Sequence, residues 1–244
     1  MKSYPISIKT FGERAVLVEW PNKVDVSILA DILDFMDAFK ELKLPGWEMS
    51  VAYNSVTMVC NDEHLDFEDI KGIIQECHQK QAASKSKRIQ HLWRIPVCYD
   101  AEFGIDIEEV SKTLKLSKDE LIKQHTSYQY IVYGIGFLPG FMYMGGVPES
   151  LEIPRRAEPR LQVAKGSVGL ASKQTGIYPQ ESPGGWNIIG NCPIPLFNPS
   201  LKDPCFVKVG DKIQFQQISR AEYDLYKIEG EVGIYKPEKV ILNA

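Results

Sequence analysis

The sequence has no C-x-x-C pair, no apolar run near the ~20 residues of a membrane span, and no surplus of positive charge. Its five cysteines, Cys60, Cys77, Cys98, Cys192 and Cys205, are odd in number and far apart, which argues against a disulfide framework and against a thiolate zinc site. The N-terminal stretch MKSYPISIKTFGER lacks the apolar segment of a signal peptide, so the expected location is the reducing cytoplasm. Lys and Arg number 28 against 32 for Asp and Glu, and a net charge of -4 offers nothing to a nucleic acid backbone. Histidine is scarce: His64, His78, His91 and His125 form no H-E-x-x-H, have no Cys at ligand spacing, and suit a surface or a helix end, so no metal site is predicted. None follows position 125, and G-x-S-x-G is missing, so a hydrolase triad in the C-terminal half would have to borrow His91 or His125. No P-loop is present, and Gly134-Ile135-Gly136 runs into Phe-Leu-Pro-Gly instead of a helix, which excludes a dinucleotide fingerprint.

What is there is an ordinary globular balance, 44% hydrophobic and 25% charged over 244 residues, enough for one large domain or two small ones. The first third alternates strand and helix signals. Tyr4 to Lys9 and Ala15 to Trp20 suit strands around a Phe11-Gly12-Glu13 turn. Ile28, Leu29, Ile32, Leu33, Met36, Phe39 and Leu42 then recur at helical spacing, with Asp25 or Ser27 as N-cap and Pro45-Gly46 as the stop. Trp47 to Tyr53 alternates, Asn54-Ser55 can turn, and Val56 to Cys60 returns. From Asp66 a second helix presents Phe67, Ile70, Ile73, Ile74 and Cys77. The order β-β-α-β-β-α predicts a small α+β domain over residues 1–90, ending in a basic linker, KQAASKSKRIQ, at 80–90.

The second domain is expected over 91–244. Leu92 to Tyr99 suits a strand, and two short helices follow, Asp106 to Leu114 and Ser117 to His125, the latter with a capping box formed by Ser117 and Glu120. From Tyr128 the helical period disappears. Most of the Gly and Pro lie beyond it, punctuating short apolar runs at Gln129 to Tyr133, Ser167 to Ala171, Trp186 to Ile189, Cys205 to Val209 and Lys212 to Gln217. Such a pattern predicts a β-barrel or sandwich with a short helical insertion.

Residues 134–190 carry the chemistry. Phe137, Leu138, Pro139, Gly140, Phe141, Met142 and Tyr143 interleave aromatics with glycine, as either a core strand and turn or a pocket wall would. Between Arg155 and Lys173 stand five basic residues, Arg155, Arg156, Arg160, Lys165 and Lys173, against one acid, Glu158. Arginine forks on proline-stiffened loops suit capture of carboxylate or phosphate, although a solvated basic face has the same composition. Gln174 to Pro179 and Ser182-Pro183-Gly184-Gly185-Trp186 add amide and hydroxyl groups and a Trp at a Gly-Gly turn. Together these residues describe a site for a small anion with no evident nucleophile.

The strings GFLPGFMYMGG, IPRRAEPR, GSVGLASKQTGIYP and SPGGWNIIG, with TFGERAVLVEW near the start, resemble the family that holds the B subunits of 5-oxoprolinase, allophanate hydrolase subunit 1-like proteins and Kip-type kinase inhibitors, whose domain is the carboxyltransferase domain, subdomain C and D. The resemblance implies a cyclophilin-like β-barrel after the α+β domain. It also implies ATP as a cofactor of the assembled complex, the C and A subunits as partners, and no activity for this chain alone. By the same resemblance, Arg155, Arg156, Arg160, Lys165, Ser167, Gln174, Tyr178 and Trp186 would bind substrate or anion, and Phe137, Pro139, Phe141, Tyr143, Gly184 and Gly185 would form a pocket wall or partner groove. The chain departs from the family strings at Lys165, and at Asn191 where an arginine is usual. Two further roles follow from the same family: an inhibitor that binds a sensor histidine kinase, and the carboxyltransferase component of a urea carboxylase system, whose biotin carrier this chain lacks.

Overall fold

The computed structural model describes residues 4–61, 66–81 and 88–242. His64 and most of the expected linker, residues 82–87, lie outside the described residues. The chain is mixed α/β and strand-rich, with five α-helices among the described residues, and divides into two compact units, Met1–Arg88 and Ile89–Ala244.

The first unit contains β1 (Ser7–Thr10), β2 (Ala15–Glu19), α1 (Val26–Glu41), β3 (Trp47–Ala52), β4 (Ser55–Cys60) and α2 (Phe67–Gln81). The strands pair antiparallel in the order β1-β2-β4-β3. Asp25 settles the choice of cap for α1, its carboxylate accepting from the Ser27 amide at 2.8 Å. α1 buries Ile28, Leu29, Ile32, Phe35, Met36 and Phe39, so the stripe takes in Phe35 while Leu42 is exposed. Two details differ from the sequence expectation. The hairpin turns at Tyr53-Asn54, because Ala52 pairs with Ser55 and Tyr53 takes a left-handed φ of 55°. On α2, Ile73 faces solvent, while His78, expected at the surface, is buried beside Trp20 and Asp31.

The second unit contains β5 (His91–Val97), α3 (Ile107–Leu114), α4 (Lys118–Ser127), β6 (Tyr130–Ile135), β7 (Met142–Gly145), β8 (Arg160–Val163), β9 (Ser167–Ala171), β10 (Gln174–Ile177), β11 (Ser182–Gly184), β12 (Asn187–Asn191), β13 (Lys212–Gln217), α5 (Arg220–Glu231) and β14 (Glu238–Ile241). Its main sheet runs β14-β5-β13-β6-β7-β10-β9-β12, antiparallel except for the parallel β5–β13 pair. Cys98, the residue after β5, exchanges backbone hydrogen bonds of 2.9 Å in both directions with Asn191 at the far end of β12. β8 and β11 form a separate two-stranded ribbon. Alternate residues of these strands, among them Ile95, Tyr130, Val132, Met142, Met144, Val168, Leu170 and Ile189, build one apolar core.

Two expectations for this unit are corrected. Cys205 to Val209 forms no strand: Val207 is buried, but the amides nearby are satisfied by a side chain, the buried Asp211 carboxylate accepting from the Lys208 and His91 amides and from the Trp93 indole at 3.0 Å each. Helical structure does not end at Tyr128 either, because α5 follows β13. It opens with a capping box in which Ser219 accepts from the Glu222 amide while the Glu222 carboxylate receives the Ser219 amide at 2.8 Å. Only Tyr223 and Gly230 of α5 are buried, whereas Leu225 and Ile228 are exposed, so the helix shows no core-facing stripe in its sequence.

Candidate functional site

Asp106 organises the basic stretch. It precedes α3 without capping it, and its carboxylate, in a residue only 3% exposed, turns to other donors. Oδ2 accepts from the Ile188 amide at 2.7 Å, and the two oxygens take the Arg160 guanidinium at 2.9 and 2.5 Å. Arg156 Nη1 donates to Asp106 at 3.1 Å and to Glu109 on α3 at 3.0 Å. The Glu109 hydrogen bond and the Asp106 charge hold the Arg156 guanidinium above its ordinary pKa. A carboxylate withdrawn from water is tolerated here because each oxygen has a charged or amide donor. Two further bonds pin the same loop to the start of β12 and the residues before it: the Arg156 amide donates to Gly185 O at 2.8 Å, and the Asn187 side chain donates through Nδ2 to Pro154 O at 2.9 Å.

Between these fixed points lies Arg155. It is exposed, pairs with no carboxylate among the described residues, and stands with its guanidinium carbon 5.8 Å from the Trp186 ring centroid. A guanidinium over the face of a Trp is a favourable cation–π arrangement, and it leaves the N–H edges of Arg155 available.

Trp186 belongs to an aromatic cluster centred on Phe141. The Phe141 ring lies edge-on to Tyr143 at 4.9 Å, Tyr178 at 5.4 Å, Trp186 at 5.5 Å and Phe137 at 5.6 Å. Two glycines make the cluster possible. A Cβ at Gly184 would meet the Tyr178 hydroxyl at 2.3 Å, and Gly140, at φ 84°, turns the chain between β6 and β7 where a Cβ would meet Phe197 at 2.7 Å. Burial pushes the Tyr178 phenol above its ordinary pKa, offset in part by the Trp186 amide and the Arg155 charge, so Tyr178 is a neutral hydroxyl.

A cavity of about 140 Å³ opens against this cluster, lined by Phe137, Phe141, Tyr143, Arg155, Tyr178 and Trp186 together with Pro183, Gly184 and Gly185. It is smaller than the roughly 300–1,000 Å³ of a site for drug-sized ligands. Of the expected site residues, Arg156 and Arg160 serve Asp106 instead of lining the cavity. Lys165 is exposed in the turn after β8, and its carbonyl accepts from Asn191 Nδ2 at 2.9 Å. Ser167 is buried at the start of β9, and Gln174 opens β10 opposite Ala171 and Gly145. Pro139 is exposed in the β6–β7 turn, and Lys173 pairs with Glu152. Asn191 ties the Lys165 turn to α5 through the Tyr223 hydroxyl, which donates to its Oδ1 at 2.9 Å. Asp106, Glu109 and Asn187 were missed by sequence reasoning, and the first two read there as the start of a helix.

Groups for covalent or acid–base chemistry are not gathered at this cavity. His125, expected at a helix end, is fully buried, and burial pushes its pKa down to about 3. Its Nε2 meets Thr175 Oγ1 at 3.1 Å, and that hydroxyl donates to Gly169 O, so Nε2 carries the proton and the Tyr99 hydroxyl, 2.7 Å away, donates to Nδ1. The ring is a neutral core group stacked on Phe215 at 4.4 Å. Cys192 is likewise inert, its thiol pushed up to about 12 by burial. No cluster of His, Cys, Asp and Glu among the described residues could hold a metal ion, and no helix among them is long and apolar enough to cross a membrane.

A family model described as carboxyltransferase domain, subdomain C and D, matches residues 6–207. The chain is 34% identical over 233 residues to the B subunit of 5-oxoprolinase from Bacillus subtilis (strain 168), covering 91% of this chain and 97% of that protein. The crystal structure of TTHA0988 superposes with a TM-score of 0.74 at 28% identity over 84% of this chain, which spans only 40% of that longer chain. The Kluyveromyces lactis urea amidolyase shares the fold at a TM-score of 0.80 over 98% of this chain, at 16% identity and over 16% of its own length. Most of the chain being matched, it belongs to the family of the carboxyltransferase domain, subdomain C and D.

Proposed function

We propose that this chain is the B subunit of an ATP-dependent 5-oxoprolinase, which opens 5-oxo-L-proline to L-glutamate together with the A and C subunits in the cytoplasm. The observation that carries this reading is the 34% identity to the Bacillus subtilis protein across 97% of that protein's length. The second unit is then a cyclophilin-like barrel, a reading supported by the bridge through which Cys98 and Asn191 link β12 back to β5.

A lactam carbonyl is a poor electrophile. Transfer of the γ-phosphoryl group of ATP to its oxygen releases ADP and activates the carbon. Water adds there, the ring C–N bond breaks with its electron pair and a proton going to nitrogen, and a second water releases phosphate. Negative charge builds at the phosphoryl and carboxylate oxygens, which is where fixed cations lower the barrier. In this scheme Arg155 holds the substrate carboxylate, the ring lies against Phe137, and Tyr178 donates a hydroxyl hydrogen bond. Arg156 and Arg160 position Arg155 by fixing its loop to Asp106. The general base and the ATP site belong to the assembled complex, since the cavity offers no carboxylate, imidazole or thiol of its own.

Mixing the purified chain with its partner subunits and following 5-oxoproline-dependent release of glutamate and ADP tests the proposal. The expected result is turnover only when all three proteins are present. Failure of every combination would overturn it.

A further inference from the structure

The cavity at Trp186 has one charged group on its lining, Arg155, and no carboxylate. We infer that it is a charge filter, which admits small cyclic monocarboxylates that carry no ammonium group and turns away ammonium-bearing amino acids, including the ring-opened product. The inference rests on the proposed function for its choice of substrate and product, and on the pocket alone for its selectivity.

A bound carboxylate finds a charge-assisted partner in Arg155, which has no carboxylate partner of its own among the described residues. An amide nitrogen needs only a neutral acceptor, and the lining offers the Tyr178 hydroxyl. An ammonium in the same place would lose water, gain no anion, and face a like charge. Aromatic faces can attract a cation, but that of Trp186, the strongest such face, is already covered by Arg155 at 5.8 Å. Opening the lactam therefore converts a molecule the pocket satisfies into one it does not, and product leaves without a conformational signal.

Phe137 fits the same role. Its ring lines the cavity, is 63% exposed, and stands on a backbone with φ of 69°, a conformation disfavoured for a bulky residue. The turn holds it there: the Gly136 amide donates to Phe141 O at 3.0 Å and the Phe141 amide to Leu138 O at 2.9 Å. Beyond its edge-on contact with Phe141 this largely exposed ring on a strained residue gains little from packing, whereas covering it with a flat ring would add contact.

The test uses the full chain and four probes, 5-oxo-L-proline, cyclopentanecarboxylate, L-proline and L-glutamate, titrated against the indole N–H signal of Trp186 in NMR, assigned with Trp186→Phe. The first two should shift that signal, and the two amino acids should bind at least tenfold more weakly. Arg155→Gln should abolish binding of all four. Phe137→Gly should weaken 5-oxo-L-proline about tenfold while Tm stays level or rises, an outcome a merely structural Phe137 would reverse. L-proline binding as well as cyclopentanecarboxylate, no response to any probe, or an unaffected Arg155→Gln overturns the filter. Discrimination by the chain without turnover by the complex would overturn the reading as a 5-oxoprolinase component alone; turnover without discrimination would overturn the filter alone.

Discussion

Arg155 and Arg156 are neighbours in the chain with opposite duties, and substitution separates them. Arg155→Gln removes the group proposed to hold the ligand and should lower kcat/KM for 5-oxoproline about a hundredfold, the ~3 kcal/mol of a hydrogen bond between charged groups, with Tm nearly unchanged. Asp106→Asn strips a buried countercharge from Arg156 and Arg160 and should reduce the unfolding free energy by about 3 kcal/mol in urea titrations. If Asp106→Asn left stability intact, the carboxylate would not be the anchor of the loop. His125 sets a pH dependence. Its folded pKa of about 3 lies below the ordinary value of about 6.5, so the unfolded chain takes up the proton first as pH falls. Stability should therefore decline from pH ~6.5 toward ~3, by up to about 1.4 kcal/mol per pH unit. Urea unfolding at pH 7, 6 and 5 should show this decline, and His125→Gln, though less stable throughout, should flatten it.

At the scale of elements, helices were legible where their apolar stripe faces a core and obscure where it does not. The Ser117 capping box of α4 is present as expected, and the stripe of α1 is present with Phe35 in it and Leu42 outside, because local spacing and local hydrogen bonding dictate both. α5 was overlooked because Leu225 and Ile228 point to solvent, although Ser219 and Glu222 repeat the Ser-x-x-Glu signature that marked α4. Ser219→Ala should cost about 1 kcal/mol if that cap holds the helix start, measurable as a lowered Tm. Cys205 to Val209 misled in the other direction, since burial of Val207 comes without a partner strand. The candidate site was legible in its aromatics and glycines and much less so in its charges. Phe137, Phe141, Tyr143 and Trp186 do converge with Arg155 on one cavity. Which arginine stays available depends on Asp106, fifty residues from Arg156, and no local pattern encodes that distance.

Among the described residues, a small cavity lined by aromatic rings and Arg155 fits the proposed place of this chain as one part of a larger enzyme. Its relatives support that view in two forms: a protein of nearly the same length in Bacillus subtilis, and longer chains of which this fold is a segment. The central claim is that this chain supplies the carboxylate pocket of a 5-oxoprolinase. It is tested most directly by 5-oxoproline-dependent ADP release from the complex assembled with wild-type chain and, in parallel, with Arg155→Gln. The account predicts matched release of glutamate and ADP with the wild type and near-complete loss with the variant. Equal rates from the two, or no turnover from any assembly, would contradict it.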